Sequence, residues 1–293
     1  METYLDCVPC FVRQAVDSAR RTTDDPTVHE KLLREVLRVA STMDMREPPP
    51  AMGQRIHRLL RELSGQPDPY RRVKDEFNQL ACELLDEYRS RIRQSAHPLE
   101  AAARLAIAGN LIDLGVKSHL GQLDVREALE QSLSAPFDAE MDEFARAIAS
   151  SKSILYLADN AGEIVLDRLL VEQLPLAKTT LAVRGAPVIN DATLVDAEAA
   201  GLTELVTVID NGSDAPGTIL SDCSEDFQQR FARADLVIAK GQGNYETLSG
   251  VEKDIFFALK AKCPVIAQDL GCRLGEMVLQ RSNSMASRHR QSA

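Results

Sequence analysis

From Lys152 onward, short apolar runs of the kind that form buried strands alternate with helical segments, and this alternation leaves few folds open. The runs are SILYLAD from Ser153, TTLAVRG from Thr179, ELVTVID from Glu204, DLVIAKG from Asp235 and CPVIAQD from Cys263. Helical patterns are expected between them over Glu163–Leu174, Thr193–Ala200, Ser224–Ala232 and Val251–Lys262. The expected fold is therefore an α/β layer with a mainly parallel sheet covered by helices. Parallel strands bring their carboxyl ends to one edge, and ligands of open α/β sheets bind outside that edge. Asp159 and Asn160, Arg184 and Gly185, Asp210 and Asn211, Lys240 and Gly241, and Asp269 close these runs. Acids, amides and two cations thus converge, as a divalent metal together with a phosphate would require.

The first 150 residues read differently. Cys7 to Ala19, His29 to Ser41, Met52 to Leu63 and Pro69 to Ser95 carry apolar residues at spacings of three and four, and no convincing strand interrupts them. Proline and aspartate punctuation in TTDDPT, MREPPPA and GQPDP marks the turns. The run LEAAARLAIAGNLIDLGV from Leu99 has so little charge that it is expected to lie buried between layers. Asn110 and Asp113 share one face of it. They either satisfy neighbouring backbone groups or reach across to the strand edge as substrate contacts.

Composition narrows the function. With 293 residues, 44% of them hydrophobic, the chain can build one large or two moderate cores. A formal charge of -10 argues against a broad nucleic-acid face, which needs clustered Lys and Arg. No stretch approaches the roughly 20 apolar residues of a membrane span, and METYLDCVPC is not a secretion signal. A soluble, cytoplasmic protein with reduced thiols is expected, its six cysteines being scattered. The tail from Arg281 is polar without periodicity and is expected to be disordered.

Several chemistries lack their parts. There is no G-x-x-x-x-G-K-[ST] loop and no nucleophilic serine elbow. Gly241 and Gly243 begin a dinucleotide fingerprint, but Glu246 stands at the third glycine position. An aspartyl-phosphate mechanism wants a second Asp two positions after the first, where Asp159 is followed by Ala161. Asp159-Asn160 and Asn190-Asp191 remain readable as plain helix caps, and Lys240 as an edge lysine. Cys7 and Cys10 form one C-x-x-C at a helix start with no second pair, which leaves an interface role, a second metal or a redox pair open. The five histidines form no ligand spacing.

DNAGE at 159–163, RGAPVINDAT at 184–193, KGQGNYETL at 240–248 and FFALKAK at 256–262, read as a helix, together resemble the metal-dependent damage-control phosphatases, long catalogued as a domain of unknown function. CVPC with FVRQA, and AGNLIDLGV, resemble the prokaryotic subgroup carrying a C-x-x-C. The resemblance spans residues 1 to about 280. It implies an all-helical domain over 1–150 packed on a Rossmann-like three-layer α/β domain over 151–280. It also implies a divalent cation, Mn2+, Mg2+, Co2+ or Ni2+, used to hydrolyse phosphate monoesters of small metabolites. Carried over by motif, the metal ligands fall on Asp159, Asn160 and Asp191. The phosphate loop falls on Lys240, Gly241, Gln242, Gly243 and Asn244, and a further lysine on Lys260, with Lys262 as its competitor. The loop reads KGQGN where eukaryotic members usually read K-G-D-L-N.

The same chemistry follows from ligand preference. A hard cation wants oxygens, and three protein ligands leave positions for water and phosphate. The cation would acidify a water for in-line attack on phosphorus. Lys240, Lys260 and the amides of Gly241 and Gly243 would hold the phosphoryl oxygens, with Arg184 assisting bidentately. Asp210, Asn211 and Asp269 are candidates to support the ligands from behind. The rival reading is a non-catalytic phospho-metabolite or nucleotide sensor using the same edge. A carboxyl methyltransferase is a weaker third, since no S-adenosylmethionine loop is present.

Overall fold

The computed structural model describes residues 1–109 and 122–282. Asn110, Asp113 and the tail beyond Ser282 lie outside the described residues. Helices α1 (Cys7–Thr22), α2 (Pro26–Ala40) and α3 (Pro49–Ser64) open the chain. The start of α2 is set by Asp25, whose carboxylate accepts from the Thr27 amide, with Pro26 as the first helical residue. Phe11, Ala15 and Ala19 of α1 meet Leu32 and Val36 of α2 and Met52, Ile56 and Leu60 of α3 in a small core of their own. The spacing of these residues places each set on one helical face.

Two longer elements follow, α4 (Arg71–Gln94) and α5 (Pro98–Ala108). In α5 the run from Ala102 to Ala108, except Arg104, is buried, as its missing charge predicts. The remaining helices are α6 (Gln122–Ser134), α7 (Met141–Ser150), α8 (Glu163–Val171), α9 (Leu194–Ala199), α10 (Glu225–Arg233), α11 (Gly241–Leu248) and α12 (Pro264–Leu270).

Seven strands, β1 (Phe137–Ala139), β2 (Ile154–Leu157), β3 (Thr179–Val183), β4 (Thr207–Asp210), β5 (Leu236–Lys240), β6 (Ile255–Lys260) and β7 (Met277–Arg281), make one sheet in the order β1-β7-β6-β5-β2-β3-β4. Every pairing is parallel except β6 with β7. Alternate residues feed two cores. Ile154, Tyr156, Leu181, Ile238 and Phe256 point to the layer holding α4, α5 and α8. Leu155, Leu157, Ala182, Val237 and Phe257 point to the layer holding α10, α11 and α12. A period of two with both faces covered is why these strands read as continuous apolar runs.

The sheet's order creates the site. From β2 the chain steps to β3 and β4 on one side, and β5 then pairs with the other side of β2. The loops after β2 and β5 therefore diverge and leave a crevice at the strands' carboxyl ends.

Three expectations are corrected. The first 150 residues are not wholly helical, because Phe137–Ala139 pairs with β7 at the sheet's edge. FFALK is strand β6 rather than part of a helix from Val251, so Lys260 ends a strand. CPVIAQD is helix α12 rather than a strand, with Pro264 at its first turn, where a missing N–H costs nothing. No helix among the described residues is long and apolar enough to cross a membrane.

Candidate functional site

The turn after β2 carries Asp159 and Asn160, and a second turn is pinned against it. Ala161 N donates to Asn190 O at 2.8 Å, Ala192 N donates to Asp159 O at 2.8 Å, and Asn160 and Asp191 form an isolated antiparallel bridge. These bonds bring Asp191 from the loop after β3 to the same spot as Asp159 and Asn160. From the helical layer, Asn78 of α4 braces the turn by accepting from Gly162 N at 2.7 Å. Ile189, two residues before Asp191, has a φ of 44°, rare for a β-branched residue, and packs against the small helical core.

Asp159, Asn160 and Asp191 line a cleft of about 740 Å³. One wall is α1, with Cys7, Cys10, Phe11, Gln14 and Arg21; α3 contributes Pro49, Pro50 and Gly53. The opposite wall is the β5–α11 turn, with Gln242, Gly243 and Glu246, and the segment after β6, with Lys262 and Cys263. Tyr70 also lines the cleft. The helical layer is thus one whole side of the cavity.

The expected residues divide into those that reach this cleft and those that stand behind it. Asp159, Asn160, Asp191, Gln242, Gly243, Cys7 and Cys10 line it. Lys240 does not. Its side chain is fully buried on the other side of the turn, and Nζ donates to Ala106 O at 2.9 Å, Glu163 Oε1 at 2.6 Å and Asp167 Oδ1 at 2.5 Å. Burial opposes its charge, but Asp167 and Glu163 outweigh that and hold the ammonium above its ordinary value. Three protons meet three acceptors inside the protein, so Lys240 has none left for a phosphate.

Arg184 is also buried behind the carboxylates, with Nε donating to Asp191 Oδ2 at 2.7 Å and Nη2 3.5 Å from Asp159 Oδ1. Asn244 accepts from Arg184 Nη1 at 3.2 Å and from Thr218 Oγ1 at 2.8 Å, while its Nδ2 donates to Lys240 O at 2.7 Å. It clamps the strand ends. Gly241 turns over Asp159 without lining the cleft. Lys260 lies in a separate concavity of about 390 Å³ with Arg273 and Glu276, and among the described residues Lys262 is the lysine that lines the cleft. Of the supporting candidates, Asn211 accepts from Gly185 N and Ser213 N, Asp210 accepts from Gly212 N, and Asp269 accepts from the Tyr245 hydroxyl.

Phe11, Arg21, Tyr70 and Glu246 were not expected here. They come from distant stretches, and only the position of α1, α4 and α11 around the strand edge unites them. Cys7 and Arg13 have the Cys-x5-Arg spacing of a phosphate-cradling loop. Both lie on α1, where the Cys7 and Val8 amides donate to the Tyr4 and Leu5 carbonyls and Pro9 has none to offer, and burial pushes the Cys7 thiol up. Among the described residues no three His, Cys, Asp or Glu side chains cluster as a metal site; the set here is two carboxylates and an amide.

Charged groups crowd behind the cleft. Among the described residues, Asp159, Glu163, Asp167 and Asp191 are buried together with Arg184 and Lys240. Burial, then the charges of Glu163 and Asp191, push the Asp159 carboxyl well above the ordinary range, against Arg184 and Lys262. Two carboxylates and an amide oxygen are donors of the kind a hard divalent ion takes.

The fold and site define an α/β protein whose ligand cleft lies at the sheet's switch point, roofed by helices. The damage-control phosphatase ARMT1-like domain matches residues 3–278. A damage-control phosphatase of Archaeoglobus fulgidus is 34% identical over 93% of this chain and 96% of its own length. Another, of Pyrococcus horikoshii, is 31% identical over 96% and 99%. An uncharacterized protein of Methanocaldococcus jannaschii is 36% identical over 94% and 93%. A crystal structure of a DUF89 family protein of P. horikoshii superposes with a TM-score of 0.88 at 32% identity, covering 96% of this chain and 99% of that one. The chain belongs to the ARMT1-like damage-control phosphatase family, the DUF89 family.

Proposed function

We propose that this protein is a divalent-metal-dependent phosphatase that hydrolyses phosphate monoesters of small metabolites, with Mn2+, Mg2+, Co2+ or Ni2+ held by Asp159, Asn160 and Asp191. The observation that carries the reading is the convergence of these three side chains, two carboxylates and an amide, in one cleft. The cation, when bound, supplies charge neutralisation of the phosphoryl group and a more acidic water. The chain's own residues do the rest. Arg184 holds Asp191 and Asp159 in place from below. Lys262 takes over the phosphate-binding role expected of Lys240 and Lys260, from the far wall of the same cleft. The backbone at Gln242 and Gly243 opens α11 beside the metal set, so its amides and helix dipole favour an anion there. Phe11, Tyr70 and Pro50 give the non-phosphate part of the ester an apolar wall.

The test is phosphate release from a panel of phosphorylated metabolites by chelator-stripped protein re-supplied with each metal. Metal-restored turnover is expected, with Lys262→Ala raising KM at least tenfold. Tight binding of phosphate compounds without release under every metal would instead mark a sensor.

A further inference from the structure

An asparagine offers a cation only one of its two ends, and in this site the other end is taken. Asn160 Nδ2 donates to Asp159 Oδ2 at 2.7 Å and to Glu163 Oε2 at 3.0 Å. Both partners are carboxylate oxygens, so the amide turned over would set oxygen against oxygen in both places. Glu163 is held in turn, its Oε1 accepting from Lys240 Nζ at 2.6 Å. Lys240 is fixed by Asp167 Oδ1 at 2.5 Å and Ala106 O at 2.9 Å, and the Tyr156 hydroxyl donates to the same Asp167 oxygen at 2.8 Å. Glu163 is 1% exposed, Lys240 and Asp167 are fully buried, and none of the three lines the cleft.

We propose that Glu163, anchored by Lys240, is a positioning residue that fixes the Asn160 amide so that its carbonyl oxygen is the end left for a cation. This rests on the reading of Asp159, Asn160 and Asp191 as a metal set. A buried Lys-Glu pair that served only to balance charge would need no bond to Asn160. Here the pair ends on that amide, as partners that orient metal ligands do. The chain from Asp167 through Lys240 and Glu163 thereby couples α8 and the end of β5 to a ligand.

Glu163→Gln separates positioning from bulk. Lys240 offers only donors and takes the new residue's oxygen, so the glutamine NH2 faces the Asn160 NH2, donor against donor, and the amide loses the bond that fixes it. Mn2+ binding to chelator-stripped protein, followed by the electron paramagnetic resonance of the free ion, is measured for wild type, Glu163→Gln, Asn160→Ala and the double variant. Glu163→Gln is expected to weaken Mn2+ binding about 10- to 100-fold, the scale of losing a partner that orients a metal ligand, and to have no further effect on Asn160→Ala. Absence of a loss, or an equal loss in both backgrounds, overturns the positioning role. Wild-type protein that binds no Mn2+ overturns the metal reading beneath it, and binding unchanged by Asn160→Ala removes Asn160 from the set. If Glu163→Gln does not fold, Glu163→Met, which leaves Lys240 its bonds to Asp167 and Ala106, makes the same comparison.

Discussion

Gly241 turns the chain with a φ of 77°, and a Cβ placed there would lie 1.9 Å from Asp159 Oδ2. The turn after β5 therefore passes over the first carboxylate of the site, and only glycine fits. Gly241→Ala is expected to displace Asp159, abolishing metal-restored phosphate release and costing about 2 kcal/mol or more in urea unfolding. Lys240→Met is expected to cost about 3–5 kcal/mol, because Glu163 and Asp167 would remain as buried, uncompensated carboxylates. At this scale Asp191 was reached only through the resemblance of RGAPVINDAT to the family's motif, whereas Asp159 and Asn160 were legible, since an acid and an amide at a strand's end mark a ligand edge. The direction of the Lys240 side chain was not, because a strand's last residue can face either layer, and only Ala106, Glu163 and Asp167 show which. Lys262, two positions beyond Lys260, lines the cleft and not the other concavity because the chain leaves β6 after Lys260, so the strand's period of two no longer governs it.

Helix α4 joins the helical layer to the site through buried charge. Asp196, fully buried at the start of α9, pairs with Lys74 at 3.0 Å and Arg71 at 2.7 Å, and accepts from Asn78 at 2.9 Å. Asn78 in turn holds Gly162 of the DNAGE turn. Burial works against the Asp196 carboxylate, but Lys74, the Thr193 amide and Arg71 hold it below its ordinary value. Its stabilisation is therefore present at neutral pH and lost as pH falls through that lowered value. Asp196→Asn is expected to cost about 3 kcal/mol or more at pH 7, with the gap to wild type narrowing in acid, measured by urea unfolding at each pH.

The alternation from Lys152 made the parallel sheet legible, but not all of its members. A three-residue strand such as β1 has too few residues to show a period, and FFALK and PVIAQ are apolar runs too short for periodicity to tell strand from helix. Pro264 was the available signal for α12.

Across the whole molecule, the cleft exists because helices α1 and α3 are held over the strand edge. Asp214, beyond β4, receives Arg58 Nε at 3.0 Å and Gln54 Nε2 at 2.7 Å, together with Arg61, whose Nη1 also donates to Pro187 O at 2.6 Å. No pattern in the chain announces this tie, because its partners lie over 150 residues apart. Opposite it, burial pushes the Glu246 carboxyl up to about 7, against its bond from Gln242 and the charges of the N-terminus and Lys262. A raised carboxylate makes the folded protein lose stability as pH rises from the unfolded value toward that higher one. Glu246→Gln is expected to remove that decline, gaining about 1–3 kcal/mol over wild type at pH 8 and little at pH 4, by thermal or urea unfolding.

We propose that the crevice between β2 and β5 is a metal-and-phosphate site. Crystals soaked in Mn2+ and orthophosphate, with anomalous data collected at the manganese edge, test it directly. One strong peak is expected among Asp159, Asn160 and Asp191, with phosphate between it and Lys262. A peak confined to Cys7, Cys10 and Cys263, or no peak in the cleft at saturating Mn2+, would contradict it.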